Sequence, residues 1–276
     1  MFIVVDKDHS LLIFLHIVKA GGTTLRWVLE DQFPCRRILR CYAAHGSTLE
    51  DVAAMREERR RQLLLFISHY GFGAHKLFPQ QASYITMLRE PISRSVSQYY
   101  SFINGKPDVQ KHHDMYTLED YAEKMAREGF DNTQVRFIAG ARDAGQVTSK
   151  HLDIAMDNIG KHFSAIGITE RFEESLVLFG KIYGWKNLSY VKRNVTTSKP
   201  RDLQLGAGLL EKLREHNSLD IELYKFANER FEALLLEHDV GERDAEEWLS
   251  NSFAARMRLY MSRIVRKLQR RIMGLR

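Results

Sequence analysis

Residues 11–25 read Leu-Leu-Ile-Phe-Leu-His-Ile-Val-Lys-Ala-Gly-Gly-Thr-Thr-Leu. The apolar run Leu11 to Ile17 is bounded by polar residues, which predicts a strand buried on both faces, as in a parallel sheet. Gly21, Gly22, Thr23 and Thr24 follow, and then Leu25, Trp27, Val28 and Leu29. That order is strand, glycine turn, helix. Paired glycines let backbone N–H groups converge at a helix N-terminus, whose partial positive charge favours an anion. Lys19 adds a full charge, and the two threonines add hydroxyl donors. Lys19, Ala20, Gly21, Gly22, Thr23 and Thr24 are therefore a candidate phosphate cradle. It is not a Walker A loop, because the GxxxxGK[ST] spacing is absent and the lysine precedes the glycines. A glycine turn beside a solvated lysine is the plainer reading of the same residues.

Working outward, the run Leu63 to Ile67 ends at Ser68 and His69, and the run Tyr84 to Leu88 ends at Arg89. Both predict strands. Pro91 suits a helix's first turn, and Ile92, Val96, Tyr99, Tyr100 and Ile103 follow at helical spacing. Further helical patterns carry Leu118, Tyr121, Ala122 and Met125, then Ile154, Met156 and Ile159. A strand over Phe163 to Ile168 leads into a helix with Phe172, Leu176, Phe179 and Tyr183. Beyond Pro200 the pattern is all helix: Leu209 to Leu213, Ile221 to Leu236, and roughly 245–273. Strands alternating with helices predict an α/β fold, a P-loop-like parallel sheet flanked by helices with a helical C-terminal region.

Two more constellations carry chemistry. Arg89 sits at a strand's C-terminal end, where open α/β sheets place ligands, and Ser97 lies about two turns into the next helix. An arginine fork and a hydroxyl can hold one phosphate. His69 also follows a strand end, and an unperturbed imidazole pKa near ~6.5 suits proton transfer at neutral pH. Ten other histidines compete with it, among them His16, His45 and His75.

The composition agrees with a folded enzyme-sized chain. Its 276 residues suffice for one full core, and 44% hydrophobic residues with only five prolines exclude a disordered or collagenous chain. Cys35 and Cys41 lie in a polar stretch without partner cysteines, so a disulfide framework and a four-thiolate zinc site are both excluded. The seven-residue run at Leu11 is too short to span a bilayer and lacks a basic flank, so the chain reads as soluble and cytoplasmic. Of the net charge of +6, residues 251–276 hold eight Lys or Arg and no acid, leaving 33 basic against 35 acidic residues elsewhere. A near-neutral body disfavours nucleic acid as a partner.

That tail sets Phe253, Met257, Tyr260, Met261, Ile264, Leu268 and Ile272 beside Arg256, Arg263, Lys267 and Arg270. It reads as a basic amphipathic helix over 241–276, appended to a domain over 1–240. Such a helix docks on the chain's own core, on a second copy as a homo-oligomer, on a membrane surface or on an acidic polymer.

Taken together, these motifs resemble a known family. His16 to Leu25, HIVKAGGTTL, is similar to the HIPKTGGTTL loop that binds the 5′-phosphosulfate in heparan sulfate 2-O and 6-O sulfotransferases and their bacterial relatives. Val18 replaces the loop proline and Ala20 the loop threonine. YITMLREPISRSVSQYY resembles the 3′-phosphate element LRDPxxRxxSxYY, and ISHYGFG resembles GHxxFG with Ser68 for the first glycine. DNTQVRFIAG, NIGKHFSAIGITERFEESL and NVTTSKPR follow in the family's order, over about residues 11 to 235.

The resemblance implies sulfuryl transfer from 3′-phosphoadenosine 5′-phosphosulfate (PAPS) to a hydroxyl acceptor, a saccharide or glycoconjugate, with His69 as base. Lys19 and the glycine loop would stabilise the leaving group, and Arg89 and Ser97 would hold the 3′-phosphate. Thr169 would lie near the adenine, and Lys199 and Arg201 would close over the donor. No metal is needed in this reading, and acceptor contacts are expected on the loop Asn104 to Tyr116. Two rivals remain at this stage. A P-loop kinase requires a Lys-Ser or Lys-Thr pair after the glycines and a magnesium-holding Asp, neither of which is visible. A catalytically degenerate anion-binding protein would bind the bisphosphate product without turnover.

Overall fold

The structure is a computed structural model, and it describes residues 10–42, 46–105, 117–141, 145–185, 187–190, 205–241 and 244. Among them, strands β1 (Leu11–Leu15), β2 (Ile38–Cys41), β3 (Leu65–Ser68), β4 (Ala82–Leu88) and β5 (Phe163–Ile168) form one parallel sheet in the order β2-β3-β1-β4-β5. The helices are α1 (Gly22–Gln32), α2 (Leu49–Ala54), α3 (Glu57–Arg61), α4 (Pro91–Gly105), α5 (Leu118–Arg127), α6 (Thr133–Ala139), α7 (Ser149–His162), α8 (Phe172–Tyr183), α9 (Ala207–His216) and α10 (Ser218–Glu237). The α/β architecture with a helical C-terminal region is as expected. Lys199, Arg201, residues 106–116 and the tail from 245 onward lie outside the described residues.

Every residue of β1 is at most 3% exposed. A strand buried on both faces needs no polar alternation, which is why LLIFL is uniformly apolar. Two expectations need correction. The strand ends at Leu15, not Ile17: the His16 amide still donates to Ser68 O (2.9 Å), but the Ile17 amide turns back to Leu15 O (3.2 Å). Ile17 stays buried at 1% exposure, so its apolar character reflects the core beneath the loop. The stretch around Cys41, read as polar, contains the edge strand β2. Its Arg40 is accommodated by a 2.5 Å ion pair with Glu30 of α1, and Cys41 is wholly buried.

Register decides what stands at the sheet's C-terminal edge. Leu15 pairs with Ser68, and Ser68 with Cys41. The next residue of each strand is therefore level with the others, and those residues are His16, His69 and Tyr42. On the other side of β1, Leu15 pairs with Thr86, so β4 runs two residues further before Arg89.

Buried polar bonds tie that edge to the helical half. Asn132, left-handed at φ 42, precedes α6, and its Oδ1 accepts from the Leu219 (2.9 Å) and Asp220 (3.1 Å) amides in the first turn of α10. Asp220 in return accepts from the Gln134 (3.0 Å) and Val135 (2.8 Å) amides in the first turn of α6. Each helix N-terminus is thus capped by a side chain from the other, satisfying amides that have no intrahelical acceptor. Gln134 then clamps the Arg89 backbone, accepting from its N–H and donating to its carbonyl, both at 2.9 Å. The fully buried Arg94 donates to Gln98 Oε1 (2.7 Å) and Thr133 Oγ1 (3.0 Å), joining α4 to α6.

Burial pushes the Asp220 carboxyl above the ordinary aspartate value, against the opposing pull of Arg94 and the two amides. Removing it strands both amides and deprives a buried guanidinium of its counter-charge. Asp220→Ala should lower the unfolding free energy by about 3–5 kcal/mol, read as a lower urea midpoint with an unchanged slope.

Candidate functional site

Parallel neighbours lie about 4.8 Å apart, and the central His69 ring keeps close to that distance from each neighbour while the two outer rings converge. His69 is 4.5 Å from Tyr42 and 4.4 Å from His16, centroid to centroid, while Tyr42 and His16, on either side, are 6.0 Å apart. His16 Nδ1 lies 3.2 Å from the Tyr42 hydroxyl. Burial, reinforced by His69 and Arg26, holds His16 well below the ordinary histidine value, so it is neutral at pH 7. Burial likewise pushes the Tyr42 phenol up to about 12.

The His16 ring rests on the start of α1. A Cβ placed on Gly22 would fall 2.1 Å from His16 Cδ2, so only glycine fits there. Gly21, at φ 72, caps the helix, and its carbonyl accepts from the Thr24 (3.1 Å) and Leu25 (3.4 Å) amides. Lys19 is one of three non-glycine residues at positive φ among those described, at 65°. Such strain is held in place by its surroundings, and here the Arg89 guanidinium donates from Nη1 to Lys19 O at 3.2 Å. Burial, with Arg89 nearby, lowers the Lys19 ammonium from the ordinary lysine value. Ala20 is fully buried and offers the loop only its backbone. Thr23 is half-buried and Thr24 is buried at the first turn.

Thr169 follows β5 and lies over the same turn. Its methyl is 3.4 Å from a Cβ placed on Gly21, and its hydroxyl donates to Leu88 O at 2.8 Å. Glu170 comes within 3.9 Å of Arg89 Nε, accepts from the Glu90 amide (3.2 Å), and is held by the Tyr224 hydroxyl (2.9 Å) from α10. The structure thus gathers Lys19 to Thr24, His69, Arg89 and Thr169 at one edge of the sheet. Ser97 lies buried in the second turn of α4.

His75 does not join the group. Its Nδ1 lies 2.9 Å from the Tyr84 hydroxyl, its ring packs on Phe72 and His162, and Tyr84 pairs with Ile13, three residues before His16. The sequence reading passed over Tyr42, Arg26, Gln134 and Glu170. For Tyr42 the missing signal is β2 itself. Arg26 follows the glycine-loop motif, and Gln134 and Glu170 lie inside segments recognised only through the resemblance, with their backbone-amide partners 86 and 80 positions away.

A cleft of about 950 Å³ opens beside this edge, and its lining includes Val18 of the glycine loop, His69, Gln98, Phe130, Thr133 and Gln146. Phe130 is 48% exposed, an aromatic face presented among amides and hydroxyls.

The close approach of His16 to Gly22 is testable. Gly22→Ala should destabilise the fold by about 1–3 kcal/mol, as overpacking does, visible as a fall in Tm. Gly160→Ala in α7, where nothing lies within 4 Å of the added methyl, should be neutral or raise stability by up to about 1 kcal/mol.

Comparison with known proteins places the chain. The galactose-3-O-sulfotransferase family model matches residues 49–265. The chain is 23% identical to heparan-sulfate 6-O-sulfotransferase 3 of Homo sapiens over 281 residues, covering 82% of this chain and 58% of that protein. It is 22% identical to heparan-sulfate 6-O-sulfotransferase 2 of Homo sapiens over 280 residues, covering 82% and 45%. It is 26% identical to galactose-3-O-sulfotransferase 3 of Homo sapiens over 246 residues, covering 81% and 56%. The chain spans about half the length of the curated relatives it matches. With a family match over most of its residues and a parallel sheet whose loops converge on one edge, the chain belongs to the galactose-3-O-sulfotransferase family of carbohydrate sulfotransferases.

Proposed function

We propose that the protein transfers the sulfuryl group of PAPS to a saccharide hydroxyl by in-line displacement, with His69 as general base. One observation carries this reading: His69 and the glycine-loop residue Val18 line the same cleft. A base and an anion cradle facing one space are what attack on a bound phosphosulfate requires. The acceptor oxygen forms a bond to sulfur while the bond from sulfur to the bridging phosphate oxygen breaks. The electron pair stays on the departing 5′-phosphate, and the acceptor's proton goes to His69.

The amides that open α1 and the Lys19 ammonium are suited to the charge growing on that phosphate oxygen. Donors already held in place need no reorganisation as the charge develops. Arg89 and Ser97 are assigned to the 3′-phosphate. The Nη1 bond from Arg89 to Lys19 O supports this by linking the two anion sites directly. Thr169, packed over Gly21, flanks the nucleotide, and Lys199 and Arg201 are assigned to closure over the donor. For the acceptor, Phe130 offers a ring to the C–H face of a sugar, and Gln98, Thr133 and Gln146 offer partners to its hydroxyls. General-base assistance contributes about 10²–10⁴ in rate.

A transfer assay with sulfate-labelled PAPS against galactosyl and glucosaminyl oligosaccharides tests the reading. His69→Ala should still bind adenosine 3′,5′-bisphosphate but turn over at least about 10²-fold more slowly. Full turnover by a folded His69→Ala protein would remove the base.

The Arg89 assignment has a separate test by calorimetry. Arg89→Ala should weaken adenosine 3′,5′-bisphosphate about 10- to 150-fold, the loss of a charge-assisted hydrogen bond, and adenosine 5′-phosphate far less. Equal weakening of both ligands would show that Arg89 acts only by bracing the Lys19 loop.

A further inference from the structure

His16 makes contacts that the proposed transfer does not use. Its imidazole is buried, with Nδ1 at 3.2 Å from the Tyr42 hydroxyl, and it lies edge-on to His69 at 4.4 Å. Its other edge faces the start of α1, where a Cβ on Gly22 would meet Nε2 at 2.4 Å. The guanidinium carbon of Arg26 on α1 lies 6.0 Å from the ring of the same phenol.

The donor inventory orients these bonds. A guanidinium only donates, so Arg26 beside the phenol offers its proton no acceptor. The phenol keeps its own proton at neutral pH, and a buried hydroxyl directs that proton to an acceptor. His16 Nδ1 stands within reach. A neutral imidazole that accepts at Nδ1 carries its single proton on Nε2.

We propose that His16 is a positioning residue for His69. A relay from the Tyr42 hydroxyl to His16 fixes one tautomer of His16, and the His16 and Tyr42 rings together hold His69 at the mouth of the glycine loop. The two rings stand 4.4 and 4.5 Å from His69 and 6.0 Å from each other, so they meet it on adjoining sides and limit its rotation toward either. A neutral His16 also presents no like charge when His69 becomes an imidazolium. The inference rests on the reading of His69 as the base.

Histidine-selective ¹⁵N NMR of the full chain should show His16 protonated at Nε2 and bare at Nδ1, a preference that Tyr42→Phe abolishes. Tyr42→Phe keeps the ring against His69 and removes only the hydroxyl. It should lower kcat by up to about 10²-fold, the scale on which small misplacements of a reacting group act. The KM for the acceptor and the affinity for adenosine 3′,5′-bisphosphate should stay within about twofold, the pattern of an interaction made only in the transition state. An Nδ1–H tautomer in the native protein, or an unchanged kcat in a folded Tyr42→Phe protein, overturns the relay. Should Tyr42→Phe fail to fold, the native tautomer decides alone. Normal turnover by His69→Ala removes the base and this role for His16 together, whereas a slow His69→Ala with an Nδ1–H His16 removes the relay only.

Discussion

Leu15, Ser68 and Cys41 stand level across β1, β3 and β2, and the site depends on that register. Because all three strands run the same way, the residue after each emerges at the same edge and the same height. Three rings are brought into mutual contact because their backbones leave the sheet side by side. A slip of one residue in any pairing would turn that strand's buried side chains to the opposite face, so the core that holds the register also holds the site. The constraint extends to α1: the His16 ring occupies the space where any side chain at residue 22 would stand, and the glycine at that position follows from it.

The other half of the site is braced by buried polar groups. Asn132 and Asp220 cap each other's helices, Gln134 next to them clamps the Arg89 backbone, and Arg89 reaches across to the Lys19 carbonyl. The Asp220 links are buried, where an unmade hydrogen bond is more expensive than at the surface, and the Arg89 links are part-buried. The left-handed backbone of Lys19 stands at the end of this chain of contacts. Local strain is therefore supported by packing that begins on α10, some 200 residues later in sequence.

Much of this was legible beforehand for identifiable reasons. β1 and β4 are dense apolar runs, and β5 was anticipated to the residue. Once a parallel sheet is inferred, residues just past strand ends become candidates, which singles out His69 and Arg89 beside the Lys19 loop, whereas Thr169 comes only from the resemblance. β2 escaped because a four-residue edge strand carrying Arg40 shows neither alternation nor a continuous apolar run, and Tyr42 was missed with it. The DNTQ segment was recognised only as part of a resemblance. Its role appears when Asp220 and Arg89, 86 and 45 positions away, are found on its amides and side chain.

The sequence by itself determined the α/β class, the glycine turn at the end of β1 and the residue types able to meet an anion. These depend on local composition and short spacing, since burial on both faces demands apolar strands and a tight turn demands glycine. Only the tertiary structure decided that His69, and not His75, joins the glycine loop, that His16 and Tyr42 flank it, and that Arg89 holds the Lys19 carbonyl. Those facts depend on strand order and register, which arise from how distant segments pack together, and no short window of sequence contains both partners of such a contact.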